Sequence, residues 1–215
     1  MRAIALPVKS LGYAKSRLAS VLAPLERGAL ALAMFEDVLD AALGVDGWET
    51  WVVSSDETVM EIALARGVTM AIPEEGATLA AAIGQIETEA ADKSLHALAI
   101  LHSDTPLVTA DALRAALHTL GPVVIAPSVD ERGTNLLLRR PPGAIPSRFG
   151  ADSYRRHLEA AAERGLPIAV VERDELAFDL DDPGDILTVL EVRRPGRTLD
   201  VCRELDLGAR LAASA

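Results

Sequence analysis

Residues 97–107, ALAILHSDTPL, decide the fold. Residues 97–102 form a short apolar run, the pattern of a strand buried on both faces, and a polar turn with Asp104 and Pro106 closes it. A strand of that kind needs helices on both sides. Upstream, residues 3–8 (AIALPV), 50–54 (TWVVS) and 68–72 read as strands, and helical patterns follow them at Pro24–Leu43, Glu57–Ala65 and 78–91. Pro24 in a first turn with Glu26 just after it is a helix-start signal. Downstream, Thr109 caps a helix reaching Leu120, and residues 123–126 and 136–139 are strands around a polar turn at 128–135. Residues 153–164 read as helix, 168–171 as a strand and 178–180 as a very short one. Asp182 then caps a helix starting at Pro183, and an amphipathic helical tail runs from Arg197. Strands alternating with helices predict a doubly wound α/β fold with a mainly parallel sheet. The closely spaced strands after residue 122 predict a small antiparallel insertion.

The chain has 215 residues, half of them hydrophobic and only 3% aromatic. That length suits a single domain over residues 1–215, with a core of about 1–190 and a helical tail at 197–215. No run of about 18 apolar residues is present to span a membrane. The start of the chain lacks the order of a secretion signal. The single cysteine, Cys202, fits a reducing cytoplasm and reads as a packed small hydrophobe rather than a nucleophile.

A net charge of −11 argues against nucleic acid and anionic membranes as partners. Against that background the chain has three lysines, Lys9, Lys15 and Lys93, and two of them share one loop with Arg17. A solvated surface would explain such a cluster; so would a site for something anionic.

Four segments lie where open parallel sheets bind ligands, at the carboxyl ends of strands. The first is PVKSLGYAKSRL, residues 7–18, in which Gly12 lets the backbone bend while Lys9, Lys15 and Arg17 could hold phosphates. It matches neither the P-loop nor the dinucleotide fingerprint. The second is LHSDTPL, residues 101–107, where Asp104 either caps a turn or offers a carboxylate at the sheet edge. The third is FDLDDP, residues 178–183. By period two, Asp179 and Asp181 share a strand face and could address one ion. The fourth joins RGTN, residues 132–135, with SRFGADSYRRH, residues 147–157. There Thr134, Gly150 and Ser153 could meet an anion at a helix start, although capping alone accounts for Ser153.

Separated carboxylates at one sheet edge suit Mg²⁺, which completes its shell with phosphate oxygens and water. The four histidines show no metal-ligand spacing, and His157 on its helix reads as an ordinary residue. No Ser–His–Asp or Cys–His pattern is evident. Phosphoryl chemistry needs no protein nucleophile, because positioning and charge neutralisation dominate it.

Taken together, PVKSLGYAKSRLA, SDTPL, the GTN turn, FGADS with RRH, and DLDDPGDI resemble the 2-phospho-L-lactate guanylyltransferase family, in order, from about residue 4 to about residue 190. The resemblance implies a GT-A-like nucleotidyltransferase fold and a role in making the deazaflavin coenzyme F-420. It implies transfer of GMP from GTP, with Mg²⁺, to 2-phospho-L-lactate, phosphoenolpyruvate or 3-phosphoglycerate, with release of pyrophosphate. By motif, Asp104 and Asp179 would hold the metal, with Asp181 an alternative second ligand. Lys9, Thr134, Gly150 and Ser153 would grip the phosphorylated acid, and the positions of Lys15 and Arg17 farther along the loop lead us to expect that they meet the triphosphate and serve catalysis. Gly12 and the loop from Glu74 to Leu79, including Glu75, Gly76 and Thr78, would lie by the nucleotide.

Two other readings stand beside this one. One is a nucleotidyltransferase for a molybdopterin- or sugar-phosphate-type acceptor; the other is a catalytically silent nucleotide-binding subunit. A homodimeric assembly is left open.

Overall fold

The computed structural model describes residues 1–73 and 78–214. Strands β1 (Arg2–Val8), β2 (Glu49–Ser54), β3 (Met70–Pro73) and β4 (Ala97–Leu101) alternate with helices α1 (Pro24–Leu43), α2 (Glu57–Ala65), α3 (Leu79–Asp92) and α4 (Ala110–His118). Strands β5 (Val123–Pro127) and β6 (Thr134–Arg139) follow, then α5 (Ser153–Glu163) and β7 (Ile168–Val170). Helices α6 (Asp174–Ala177), α7 (Pro183–Val192), α8 (Arg197–Glu204) and α9 (Leu207–Ser214) complete the chain. Among the described residues the strands make one seven-stranded sheet in the order β3-β2-β1-β4-β6-β5-β7.

β6 runs antiparallel to both of its neighbours, β4 and β5, while the β1–β2, β1–β4, β2–β3 and β5–β7 pairs are parallel. The expected antiparallel insertion is therefore this one reversed strand. Its reversal has a positional consequence. Thr134, at its beginning, lies on the same sheet edge as the carboxyl ends of β1 and β4.

Alternation along β1 sorts the core. Ile4, Leu6 and Val8 pack with α1, α2 and α4 on one face, whereas Ala3 and Ala5 pack with α3 on the other. Strands covered on both faces cannot alternate apolar with polar, which is why residues 3–8 and 97–102 read as continuous apolar runs. Val123, Ile125 and Leu137 extend the second face against α5.

The helix ends form where the sequence places them. The Glu26 carboxylate accepts the Ala23 N–H at 2.8 Å, Thr109 accepts Ala112 N–H at 2.9 Å, and Thr78 accepts Ala81 N–H at 3.2 Å. One local expectation is corrected. Residues 178–180 are not a strand but an extended connection after α6, a helix the sequence reading passed over. Asp182 is the N-cap of α7, as its place before Pro183 leads one to expect, and Asp185 completes a capping box by accepting the N–H groups of Asp181 and Asp182 at 2.8 and 2.7 Å.

The C-terminal helices are latched to α1. Asp37, almost fully buried, accepts the backbone N–H groups of Arg197 and Thr198 at 2.8 and 2.9 Å, capping α8 from another helix. Leu199, Cys202 and Leu207 then pack with Leu18, Leu22, Leu30 and Met34, so the tail backs the cationic loop. Burial pushes the Cys202 thiol up to about 11, in keeping with a packed apolar role. No helix among the described residues is long and apolar enough to cross a membrane.

Candidate active site

A cleft of about 420 Å³ opens at the sheet edge where β1 and β4 end and β6 begins. After β1 the chain returns to the sheet at β2, to one side, and after β4 at β5, to the other, and such a switch in strand order is where open α/β sheets bind ligands. Lys9, Lys15, Arg17, Asp104, Thr134, Gly150, Ser153, Asp179 and Asp181 all line it. Residues from four separate segments therefore converge on one cavity. Thr78 serves as the cap of α3, and the neighbouring Leu79 lines the cleft. Glu75 and Gly76 lie outside the described residues.

The cationic loop is built from two short 3-10 turns, Leu11–Tyr13 and Ser16–Ser20. Asp56 pins its first half. One oxygen of Asp56 accepts Leu11 N–H at 3.0 Å, while the other accepts Thr58 N–H at 3.1 Å at the start of α2. Gly12 does not supply the bend. The left-handed backbone of the loop belongs to Lys15, at φ +51°, a conformation that costs a non-glycine residue about 1 kcal/mol or more. That strain delivers the side chain into the cleft.

Lys15 is 8% exposed and lies between two acids, with Nζ at 2.9 Å from Asp104 Oδ2 and 2.8 Å from Asp181 Oδ1. Burial works against its charge, but Asp104 and Asp181 outweigh burial and raise its pKa. Burial likewise opposes ionisation of Asp104, yet Lys15 prevails and holds that carboxyl down at about 2. Arg17 is mostly exposed, with its guanidinium 3.6 Å from Asp181 and 3.7 Å from Asp182. Lys9 is exposed at the end of β1.

Asp179 is placed differently. Its carboxylate meets Asn135 Nδ2 at 3.3 Å, and the same amide donates to the Ala177 carbonyl at 2.8 Å. Burial and the charge of Asp104 push Asp179 up to about 6, only partly opposed by Asn135. Meanwhile Asp104 Oδ1 is closed to solvent and has no hydrogen-bond partner. Within this group of acids, Lys15 bridges Asp104 and Asp181, while Asp179 is held by Asn135.

Opposite the acids, Gly150 has φ +108° and precedes α5, whose first residue Ser153 is buried. The Thr134 hydroxyl is 3.0 Å from His157 Nδ1, and His157 Nε2 accepts the backbone N–H of Arg148 at 2.9 Å. Phe149 stacks edge-on to His157 at 4.9 Å and lies 5.2 Å from the His102 ring. Sequence reasoning missed Asp56, Asn135 and His157. The last left a trace, since Ser153, His157, Ala160 and Ala161 form the buried stripe of α5 at helical spacing.

The family model described as "Guanylyl transferase CofC like" matches residues 1–209. The phosphoenolpyruvate guanylyltransferase of Chloroflexus aggregans is 37% identical over 202 residues, covering 91% of this chain and all of the relative. That of Rubrobacter xylanophilus is 41% identical, covering 84% and 89%, and the 3-phospho-D-glycerate guanylyltransferase of Phenylobacterium zucineum is 36% identical, covering 89% and 91%. Among solved structures, a nucleotide-diphospho-sugar transferase-type protein from Desulfovibrio desulfuricans G20 superposes with a TM-score of 0.74 at 22% identity, covering 96% of each chain. A Methanothermobacter nucleotidyl transferase gives 0.59 at 17% identity, covering 89% of this chain and 97% of its own. The solved structures agree with a nucleotidyltransferase-type α/β fold, and the sequence relatives go further: the chain belongs to the CofC-like guanylyl transferase family.

Proposed function

We propose that the protein transfers GMP from GTP to a small phosphorylated acid, releasing pyrophosphate, as a step of deazaflavin coenzyme F-420 biosynthesis. The observation that carries the reading is the convergence of three cations and three acids on one cleft whose far wall offers Thr134, Gly150 and Ser153. In the proposed reaction a phosphate oxygen of the acid attacks the α-phosphorus of GTP. The bond from that phosphorus to the β-bridging oxygen breaks, and its electron pair leaves with pyrophosphate. The acceptor's second phosphate pKa, about 6, leaves it ionised at neutral pH, so no protein base is required. The reaction then depends on positioning and on neutralising charge.

The acids fit a divalent cation of the Mg²⁺ type. Asp104 Oδ1 is an unpartnered buried oxygen, and burial with the charge of Asp104 pushes Asp179 up to about 6. Asp104 and Asp179 would hold the ion, Asp181 being already engaged by Lys15. The bound ion would supply charge neutralisation for the triphosphate. Among the described residues no group of three or more His, Cys, Asp or Glu side chains stands ready to ligate a metal, so the reading requires phosphate oxygens and water to complete the shell.

In this scheme Lys15 keeps Asp104 ionised and orients it. Arg17 meets the triphosphate from the open side, and Lys9 meets the acid. The test is incubation with GTP and Mg²⁺ and, in turn, phosphoenolpyruvate, 3-phosphoglycerate and 2-phospho-L-lactate, following pyrophosphate. Release dependent on one of these acids is expected. No release with any of them, or equal use of ATP, defeats the proposal.

A further inference from the structure

We infer that His157 is a positioning residue, which frees the Thr134 hydroxyl proton for donation to the phosphorylated acid. The inference rests on the reading of the cleft's far wall as the acceptor side. The bonds around the imidazole carry it. Nε2 receives the backbone N–H of Arg148 at 2.9 Å, so that nitrogen presents a lone pair. A neutral imidazole has one N–H, which must then reside on Nδ1. Nδ1 faces the Thr134 oxygen at 3.0 Å and donates to it.

The ring is neutral for a physical reason. It is fully buried, and burial together with the charges of Arg139, Arg156, His102 and Arg148 pushes its pKa down to about 3. With Nδ1–H occupying one lone pair of the Thr134 oxygen, the hydroxyl proton points elsewhere. Thr134 itself is 1% exposed, and what its side chain faces beyond His157 is the cleft. The freed proton suits a ligand atom that accepts a hydrogen bond, such as a phosphate or carboxylate oxygen. The bond from Nδ1 restricts rotation of the hydroxyl and biases it toward donation.

The wild-type protein, labelled with ¹⁵N-histidine and studied by NMR without substrate, reads the first half directly. His157 is expected to show a protonated Nδ1 and a bare Nε2, unchanged between about pH 8 and about pH 5. An Nε2–H tautomer or an imidazolium in that range overturns the inference, whatever reaction the protein performs. Kinetics with phosphoenolpyruvate, 3-phosphoglycerate and 2-phospho-L-lactate read the second half on whichever acid supports turnover. Thr134→Val and His157→Gln should raise the acceptor KM roughly ten- to hundred-fold and leave the GTP KM within about two-fold. Thr134→Ser, and His157→Asn with its amide N–H at the place of Nδ1–H, should stay within about three-fold of wild type. If His157→Asn is as impaired as His157→Gln, or Thr134→Val leaves the acceptor KM unchanged, His157 is only a packing residue. If none of the acids is turned over while the NMR shows the expected tautomer, the proposed reaction fails and the donor assignment stands.

Discussion

The backbone N–H of Leu180 donates to the carbonyl of Asp104 at 3.0 Å. This bond joins the loop after β4 to the connection between α6 and α7, and it explains how acids from distant parts of the chain come to share a cleft. Asp104 raises the pKa of Asp179 because the two loops are tied at this point.

Asp104→Asn should reduce kcat by about a hundred-fold or more, since a group placed for charge stabilisation is lost. The fold should survive, because the side chain packs into no apolar cluster. A second readout tests the coupling. The pKa of Asp179, followed by NMR, should fall from about 6 toward the ordinary carboxylate range. An unmoved Asp179 means that burial alone sets its proton affinity.

The sign of the Asp179 shift gives a pH dependence. An acid whose folded pKa is raised contributes stability that is fully present below its unfolded value of 3.8 and is lost as pH rises through about 6. Without divalent metal, Asp179→Asn should therefore melt a few degrees above wild type at about pH 7.5, with the difference vanishing near pH 4. Added Mg²⁺ should stabilise the wild type and not the variant. A variant that melts lower at neutral pH contradicts both the burial account and the proposed metal.

Lys15 permits an unusual comparison. Replacing it removes the cation from between Asp104 and Asp181, which should cost about 1–3 kcal/mol and abolish activity. The left-handed backbone makes Lys15→Gly more stable than Lys15→Ala by about 1 kcal/mol, the reverse of the usual order. Chemical denaturation of the two variants decides it.

Asp37→Ala should destabilise the protein by about 1–2 kcal/mol through loss of the cap on α8. Hydrogen exchange should localise the effect to Arg197 and Thr198. Gly196→Ala should act at the same place, because a Cβ there would lie 2.9 Å from the Asp37 carboxylate. Exchange that rises evenly over the chain would show that the latch is not local.

Much of the fold was legible because strong local signals agree with the global arrangement. Pro24 with Glu26, Thr109 and the apolar run at 97–102 each mark an element that forms where its residues favour it. Residues 178–180 misled because two apolar side chains around an acid imitate strand alternation. The backbone of Leu180 is tied to the sheet side by its bond to Asp104, a contact no local pattern records. The acids and cations were legible as a group from position at strand ends. Their pairing was not. That Lys15 would lie between Asp104 and Asp181, and that Asn135 would face Asp179, depends on how separate loops meet. His157 was passed over for the same reason: its partners, Thr134 and Arg148, come from a strand and a turn outside its helix.

The reversed direction of β6 divides the cleft into two parts with separate scaffolds. The acids and the cationic loop hang from the segments after β1 and β4 and from the connection before α7. Thr134, Gly150, Ser153 and His157 belong to the reversed strand, the turn after it and α5, one continuous stretch of chain. On the proposed reading, one ligand's half of the cleft can be rewritten by changes at Thr134 and within residues 147–157, while Asn135, which holds Asp179, and the nucleotide's half are left alone. A fold divided in this way can exchange acceptors by editing a cassette rather than by rebuilding an enzyme.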